Sequence, residues 1–230
     1  MITINETLKE TKFANFNSLE LQSALKSLVV EKNPNKTAIN IYNFVRDEIM
    51  VGASRIDIAS ATLNVKKGFS QMKGNLAIAL FRGAGIPARY RLIDFDEKKI
   101  LGLVDKITYI AFPSIRPFMP NGKIIHVIPQ VYLNEEWLNV DPLFDIGFFN
   151  GMKRREVKAV GSILGLSWNG IGHISPQENL VKEELGIVNN ADEIFQKTAK
   201  FSNLFFRLGA YELLDKHFKK LRKETFAIMS

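Results

Sequence analysis

Three residues of this sequence, Ser70, His126 and Asp141, could act together in chemistry. Ser70 stands where the turn VKKGF leads into a long apolar segment, so its hydroxyl is expected at a helix N-terminus, where free N–H groups and the helix dipole stabilise negative charge. His126 opens a predicted strand, and Asp141 ends the neighbouring strand of the same hairpin. A nucleophile, a base and an orienting acid in this arrangement are what acyl transfer requires.

Each of these residues also has an ordinary structural interpretation. Serine is among the best helix caps, and most serines at such a position are ordinary caps. A single histidine in a strand is more often structural than catalytic, and an aspartate before proline, as in Asp141-Pro142, is typical of a turn. Spacing alone therefore favours three structural residues over a catalytic triad.

Helical patterns surround Ser70. Apolar residues recur at helical spacing over residues 18–31, with a cap at Asn17 or Ser18, and over residues 33–50, with Pro34 in the first turn. Residues 70–82 are apolar on most sides, which predicts a buried helix. The polar, irregular stretch from residue 52 to residue 68 is expected to be a long loop.

The pattern changes from helical to extended after Pro87. ARYRLIDF (88–95) predicts a strand, and KIIHVIPQVYLNEEWLNVD (123–141), after a proline-rich loop, predicts two antiparallel strands with a turn at Asn134-Glu135. Beyond residue 151 the pattern is mostly helical, best at 192–208 and 211–226, with a loop at WNGIGHISP (168–176). The expected fold class is therefore α+β.

Composition excludes several function classes. The chain has 230 residues, 46% of them hydrophobic, and lacks a signal sequence or an 18-residue apolar run, so we expect a cytoplasmic protein that does not bind membranes. The net charge of +7 comes mainly from beyond residue 150, without interleaved aromatic residues, which favours a solvated helix face over nucleic-acid binding. Three scattered histidines and no cysteine predict no metal site, and we expect no cofactor.

The segment GFSQMKGNLAIALFRGAGIPARYRL, followed by HVIPQVYLNEEWLNVDPLFD, resembles the transglutaminase-like superfamily. The family pattern has a glycine two residues before a cysteine, a helix ending in a GIPAR-like phrase, a histidine strand, and a strand ending in Asp-Pro. The resemblance covers roughly residues 36–150. It implies a papain-like α+β core, with the nucleophile at the start of a buried helix packed on an antiparallel sheet. We expect residues 1–230 to form a single domain, with a helical extension over 151–230.

Carried over residue by residue, the resemblance assigns the nucleophile to Ser70, the general base to His126 and the carboxylate that orients the histidine to Asp141. Secondary candidates are Gln71, as an oxyanion donor, and Trp168 and His173, at the cleft. Gln71 is also typical of an exposed first-turn residue, and His173 of a structural loop histidine.

Two positions depart from the family pattern: Gln130 replaces a frequent glutamate, and Ser70 replaces the cysteine. The serine has three possible origins: a deliberate Cys-to-Ser change, a natural serine hydrolase, or a natural pseudoenzyme. The resemblance implies an acyl-transfer enzyme that hydrolyses an amide or peptide bond in a peptide, protein or small amide substrate. The alternative is a catalytically silent module that binds a peptide or protein partner in the same cleft. The sequence leaves the oligomeric state open.

Overall fold

The computed structural model describes residues 3–52, 54, 58–96, 99, 120–154, 166–176, 178–207 and 210–226. The predicted proline-rich loop lies largely in 97–119, outside the described residues apart from residue 99. The α-helices are α1 (Leu19–Leu28), α2 (Pro34–Glu48), α3 (Ala59–Val65), α4 (Ser70–Gly83), α5 (Ile146–Arg154), α6 (Asp192–Arg207) and α7 (Ala210–Phe226). The strands are β1 (Met50–Val51), β2 (Lys67–Gly68), β3 (Ala88–Phe95), β4 (Ile125–Leu133), β5 (Glu136–Asn139) and β6 (Val181–Val188).

Side-chain caps begin the first two helices. The Ser18 hydroxyl accepts a hydrogen bond from the Leu21 amide ahead of α1, as one of the two predicted caps. The Asn33 side chain accepts from the Lys36 amide ahead of α2, and Pro34 occupies the first helical position. These local interactions set the starts of α1 and α2 before any tertiary contact is considered.

Helix α4 is buried along its length and ends abruptly. Residues 76–81 are fully buried. At its end the Ile86 amide donates to the Phe81 carbonyl, and Gly85 adopts φ +76°, a left-handed conformation that favours glycine. Pro87 follows and prevents continuation, so the chain turns directly into β3.

The main sheet has the order β5-β4-β3-β6, and all its neighbouring strands are antiparallel. The predicted hairpin between β4 and β5 is confirmed, and both turn residues, Asn134 and Glu135, have positive φ angles. In the register of β3 and β4, Ile93 lies opposite His126. The short strands β1 and β2 pair in parallel immediately before α4.

Two elements differ from the expectation. The segment predicted as a loop over residues 52–68 contains helix α3, whose buried face carries Ala59 and Thr62. Strand β6 was not predicted. Its residues are mostly exposed or half-buried, and it is held as an edge strand by pairing with β3. Neither segment has a strong local sequence pattern, because each is stabilised mainly by contacts with segments that are distant in the sequence.

None of the helices in the described part of the chain is both long enough and apolar enough to span a bilayer.

Gly74 allows α4 to lie directly on β4. A Cβ atom added at Gly74 would lie 2.6 Å from Val127 Cγ1. We expect Gly74→Ala to lower the free energy of unfolding by about 1–3 kcal/mol, because a branched strand side chain cannot easily move aside. Urea denaturation measures this loss.

The control for the Gly74→Ala prediction is a double-mutant cycle with Val127→Ala. The second change should cost less stability in the Gly74→Ala chain than in the parent chain, because it removes the clashing methyl groups. Strictly additive losses would contradict a direct clash.

Candidate active site

Ser70 is the first residue of α4, and it does not cap the helix. The N-cap is Phe69, whose amide donates to Met72 Sδ at 3.3 Å. The Ser70 side chain is half-buried, and the hydrogen bonds of the described residues include none to its hydroxyl, either from a helix amide or from His126. The hydroxyl therefore lies at the positive end of a buried helix without the structural task that usually places serine there.

His126 and Asp141 form a buried pair. His126 Nε2 lies 2.8 Å from Asp141 Oδ2, and the two residues are 3% and 2% exposed. The second carboxylate oxygen accepts from the Leu143 amide at 3.0 Å, and the Asp141 amide donates to the Ile174 carbonyl at 2.8 Å. Asp141 is thus held on both its side chain and its backbone, and this fixes the imidazole that it binds.

The pairing defines which imidazole nitrogen is available for chemistry. Because a carboxylate accepts hydrogen bonds, the proton is assigned to Nε2, and Nδ1 carries the lone pair. The Phe95 ring lies 5.6 Å from the imidazole, centroid to centroid, and shields it from water. A general base needs this tautomer, because the ring nitrogen that does not face the carboxylate must be unprotonated in order to accept a proton.

Sequence neighbours of these three residues belong to two hydrophobic clusters. The first cluster contains residues 76–81 of α4 together with Val127 and Val140, and the second contains Val51, Leu143, Phe144 and Phe148, with Phe69 and Phe95 packed against it. Ser70 therefore directly follows Phe69, which packs against the second cluster, and it begins the helix whose residues 76–81 belong to the first cluster. His126 precedes Val127 and lies under Phe95, while Asp141 lies between Val140 and Leu143.

Gln71 and Gly74 place the start of α4 against the strand that carries His126. Gln71 is 9% exposed, and its Nε2 lies 3.5 Å from the Ile125 carbonyl oxygen. With Gly74 against Val127, the two contacts lie on either side of His126 along β4. The buried amide of Gln71 is thus on the β4 side of the helix start, and its role as an oxyanion donor stays a prediction.

Trp168 and His173 lie in the predicted loop, which joins the end of β5. The Trp168 indole is buried against the Tyr42 ring, and its N–H donates to the Gly172 carbonyl at 3.1 Å. His173 is exposed, and its Nδ1 accepts from the Asn139 amide at 2.9 Å. Both side chains hold this loop beside Asp141, and their roles at the cleft stay predictions.

Lys73 is a residue near the site that the sequence interpretation missed. It is fully buried, and its Nζ donates to the carbonyls of Ile49 at 2.5 Å and Arg46 at 3.2 Å. Burial lowers the pKa of Lys73 to about 7, although the nearby Asp145 and Asp141 carboxylates act in the opposite direction. The signal that could have revealed it was a lysine in the first turns of a helix predicted to be buried on most sides.

The pKa of Lys73 predicts how stability depends on pH. An unfolded lysine has a pKa near 10.4, so between about pH 7 and pH 10 the unfolded chain binds the additional proton. The free energy of unfolding should therefore rise as the pH is raised through this range, and it should rise less in Lys73→Met. Urea denaturation at several pH values measures both slopes.

The exposed Lys219 of α7 gives the matched control for this pH dependence. Lys219→Met should keep the slope of the parent chain. Equal slopes in the parent and in Lys73→Met would show that Lys73 keeps its proton throughout this range.

Among the described residues, no group of three or more His, Asp or Glu side chains is arranged to hold a metal ion.

Comparison with known proteins identifies the family. The family model described as "Transglutaminase-like superfamily" matches residues 24–142, more than half of the chain. A solved structure named "Putative Cysteine Protease" from Cytophaga hutchinsonii is similar at 16% identity and a TM-score of 0.48, over 83% of this chain. This chain spans about half of that protein's length, 48%. Among curated proteins, no sequence matches this chain. The predicted α+β, papain-like transglutaminase core is confirmed. The chain belongs to the transglutaminase-like superfamily.

Proposed function

We propose that this chain is an acyl-transfer enzyme that hydrolyses an amide or peptide bond, with residue 70 as the nucleophile, His126 as the base and Asp141 as the orienting carboxylate. The observation that carries the proposal is the buried hydrogen bond of 2.8 Å between His126 and Asp141, on the strand that packs against the start of α4. Family membership supports the same assignment of roles.

The proposed reaction follows from which of these groups can accept a proton and which can donate one. His126 Nδ1 accepts the proton of residue 70 as its side chain bonds to the substrate carbonyl carbon. The resulting oxyanion is stabilised by the N–H groups of the first turn of α4, which have no acceptor within the helix. The C–N bond then breaks, and the amine leaves with the proton from His126. Water, deprotonated by the same histidine, then attacks the acyl carbon. The bond from that carbon to residue 70 breaks as His126 returns the proton to the side chain of residue 70, and the acyl group leaves as a carboxylic acid.

Serine makes the first step more demanding than cysteine would. A thiol at a helix N-terminus beside a histidine ionises before it attacks. The Ser70 hydroxyl must lose its proton during the attack, so the distance to the base decides whether the reaction occurs. The second candidate function, a silent module that holds a peptide or protein partner, is favoured by one observation only, namely the serine itself.

The test places a thiol at position 70 and measures its labelling by iodoacetamide at pH 6. We expect Ser70→Cys to be labelled about 10–100-fold faster than an ordinary thiol, because a thiol with a lowered pKa is ionised at this pH. Adding His126→Ala should abolish this advantage.

The matched control for the labelling test is His217→Ala in the same Ser70→Cys chain. His217 is a histidine of α7 with no role in the proposed reaction, so its removal should leave the labelling rate unchanged. Slow labelling that does not depend on His126 would overturn the enzyme proposal and favour the binding module.

A further inference from the structure

One face of helix α7 packs against the segment that leads into α4. Asp215 and Phe218 are three residues apart, so their side chains share one side of α7. The Lys67 ammonium group of β2 lies 2.5 Å from the Asp215 carboxylate. The Phe69 ring lies 5.9 Å from the Phe218 ring, centroid to centroid, in an edge-to-face arrangement. Helix α7 therefore contacts the chain at the positions one and three residues before residue 70.

The contact between Lys67 and Asp215 is closely fitted. A Cβ atom added at Gly52 would lie 2.6 Å from Lys67 Cδ and 3.1 Å from Asp215 Oδ1, so the missing side chain at Gly52 leaves room for this ion pair. The Gly52 amide also donates to the Gly68 carbonyl at 3.3 Å. The two charged side chains are 32% and 22% exposed, so water screens the pair only in part.

The next turn of α7 is anchored beside this ion pair. The Arg222 guanidinium contacts the Asp145 carboxylate at 2.5 Å and donates to the Val51 carbonyl at 2.7 Å. The Phe218 ring also lies 5.0 Å from the Phe148 ring of α5. These contacts fix the inner face of α7 relative to β1 and α5. The helix can therefore act as a support for the segment that precedes α4.

The middle of α4 has a different support. Its residues 76–81 belong to the first hydrophobic cluster. Leu214 and Phe218 of α7 belong to the second cluster, against which Phe69 packs. Loss of the α7 contacts is therefore expected to loosen the start of α4 while its middle stays in place.

We propose that α7 positions residue 70 through Asp215 and Phe218, and that the candidate active site is reactive only while α7 is packed against residues 67–69. Asp215 and Phe218 are thus positioning residues, which act through Lys67 and Phe69. This inference rests on the proposed function, because it concerns the nucleophile of that reaction.

The physical reason is the short range of the interaction that residue 70 depends on. The N–H groups at a helix N-terminus stabilise negative charge only within the first turn. A nucleophile that is displaced by about 1 Å can lose about 10²-fold in rate. Movement of the segment before α4 would therefore reduce the reactivity of residue 70 even if every residue of the proposed triad were present.

The first test uses the Ser70→Cys chain and measures the rate of iodoacetamide labelling between pH 5 and pH 9. The midpoint of this profile is the pKa of the thiol, which a helix N-terminus lowers. Asp215→Asn should raise the midpoint by about half a pH unit or more, because the thiol moves away from the helix N–H groups. Removal of the carboxylate charge alone would lower the midpoint, so the sign separates positioning from a direct effect of charge.

Glu212→Gln, at an exposed position one turn before Asp215, is the matched control and should leave the midpoint unchanged. Asp215→Glu keeps the carboxylate and should shift the midpoint less than Asp215→Asn. Gly52→Ala and Phe218→Leu remove no charge, and both should raise the midpoint, because they disturb the contacts of α7 with residues 67 and 69. An unchanged or lowered midpoint in Asp215→Asn would overturn the inference.

The second test needs neither a thiol nor catalysis. In the native chain, hydrogen exchange is measured at the Lys73 amide, which donates to the Phe69 carbonyl at 2.9 Å, and at the Ala84 amide, which donates to the Leu80 carbonyl at 3.0 Å. Asp215→Asn should speed exchange at Lys73 by about threefold or more and leave exchange at Ala84 unchanged, because only the start of α4 loosens. Equal increases at both amides would indicate a general loss of stability and would contradict the proposed role of α7.

The two proposals can fail separately. A raised midpoint in Asp215→Asn without His126-dependent labelling would sink the enzyme proposal and leave the role of α7 standing. His126-dependent labelling with an unchanged midpoint in Asp215→Asn would sink only the role of α7.

Discussion

Asp141→Asn in the Ser70→Cys chain is expected to lower the rate of p-nitrophenyl acetate hydrolysis by about 10³-fold. The asparagine oxygen can still accept the Leu143 amide, so the local backbone keeps its hydrogen bond. Its NH₂ group, however, would donate to His126 Nε2, where the carboxylate oxygen now lies 2.8 Å away. The imidazole proton would then move to Nδ1, and the lone pair needed to take the nucleophile's proton would be lost. The kcat/KM of the two chains measures the effect.

Asp192→Asn provides the control for the Asp141 prediction. Its carboxylate also accepts two backbone hydrogen bonds, from Lys12 at 2.9 Å and Phe13 at 3.2 Å, but these join α6 to the N-terminal segment. We expect this change to leave kcat/KM unaltered. A loss below about tenfold in a folded Asp141→Asn chain would mean that Asp141 does not orient the base.

Arg82→Met is expected to lower the free energy of unfolding by about 3–5 kcal/mol, because hydrogen bonds to a charged group are worth about 1.5–3 kcal/mol each and do not add fully. Arg82 is 3% exposed and donates four hydrogen bonds, two to Ala88 and one each to Lys9 and Asn189. It thereby joins the end of α4, the start of β3, the N-terminal segment and the residue after β6. Burial lowers the pKa of its guanidinium. Urea denaturation gives the loss.

Arg91→Met is the matched control for Arg82, because Arg91 binds Glu178 and Glu184, whose side chains are each 53% exposed. Exposed ion pairs contribute about 1 kcal/mol or less, so this change should cost far less than Arg82→Met. Arg82→Lys should also lower the free energy of unfolding, since one ammonium group cannot form all the hydrogen bonds that the planar guanidinium makes to three segments. Equal losses of unfolding free energy in Arg82→Met and Arg91→Met would show that the backbone carbonyls bound by Arg82 find other hydrogen-bond donors when it is removed.

The sequence predicted those parts of the fold whose signals are local. ARYRLIDF forms β3 over the predicted residues, and α4 runs from Ser70 to Gly83 against a predicted 70–82. Caps, an apolar face or strict alternation determine such segments within a few residues. Helix α3 and strand β6 were missed because each depends on a partner distant in sequence, β6 on β3 in particular.

The residues in and near the candidate site also fall into two groups, those that local motifs identify and those that are brought together only by packing. Ser70, His126 and Asp141 could be named from motifs within one stretch of chain, and the family to which those motifs belong is confirmed. The buried contact of Lys73 with Ile49 and that of Arg222 with Asp145 could not be predicted, because each joins segments that are distant in sequence. Arg222 is 77 residues from Asp145, and nothing in a basic C-terminal helix indicates which of its charges turns inward.

By itself, then, the sequence determined the family motif that contains Ser70, His126 and Asp141, and that Ser70 begins a buried helix. Only the tertiary structure decided that Ser70 is not a helix cap, that His126 contacts Asp141 through Nε2, and that Lys73 is buried against the end of α2. The physical reason is the separation along the chain over which each kind of interaction acts. Helix and strand signals act between near neighbours, whereas burial, desolvation and ion pairing depend on which distant segments pack together.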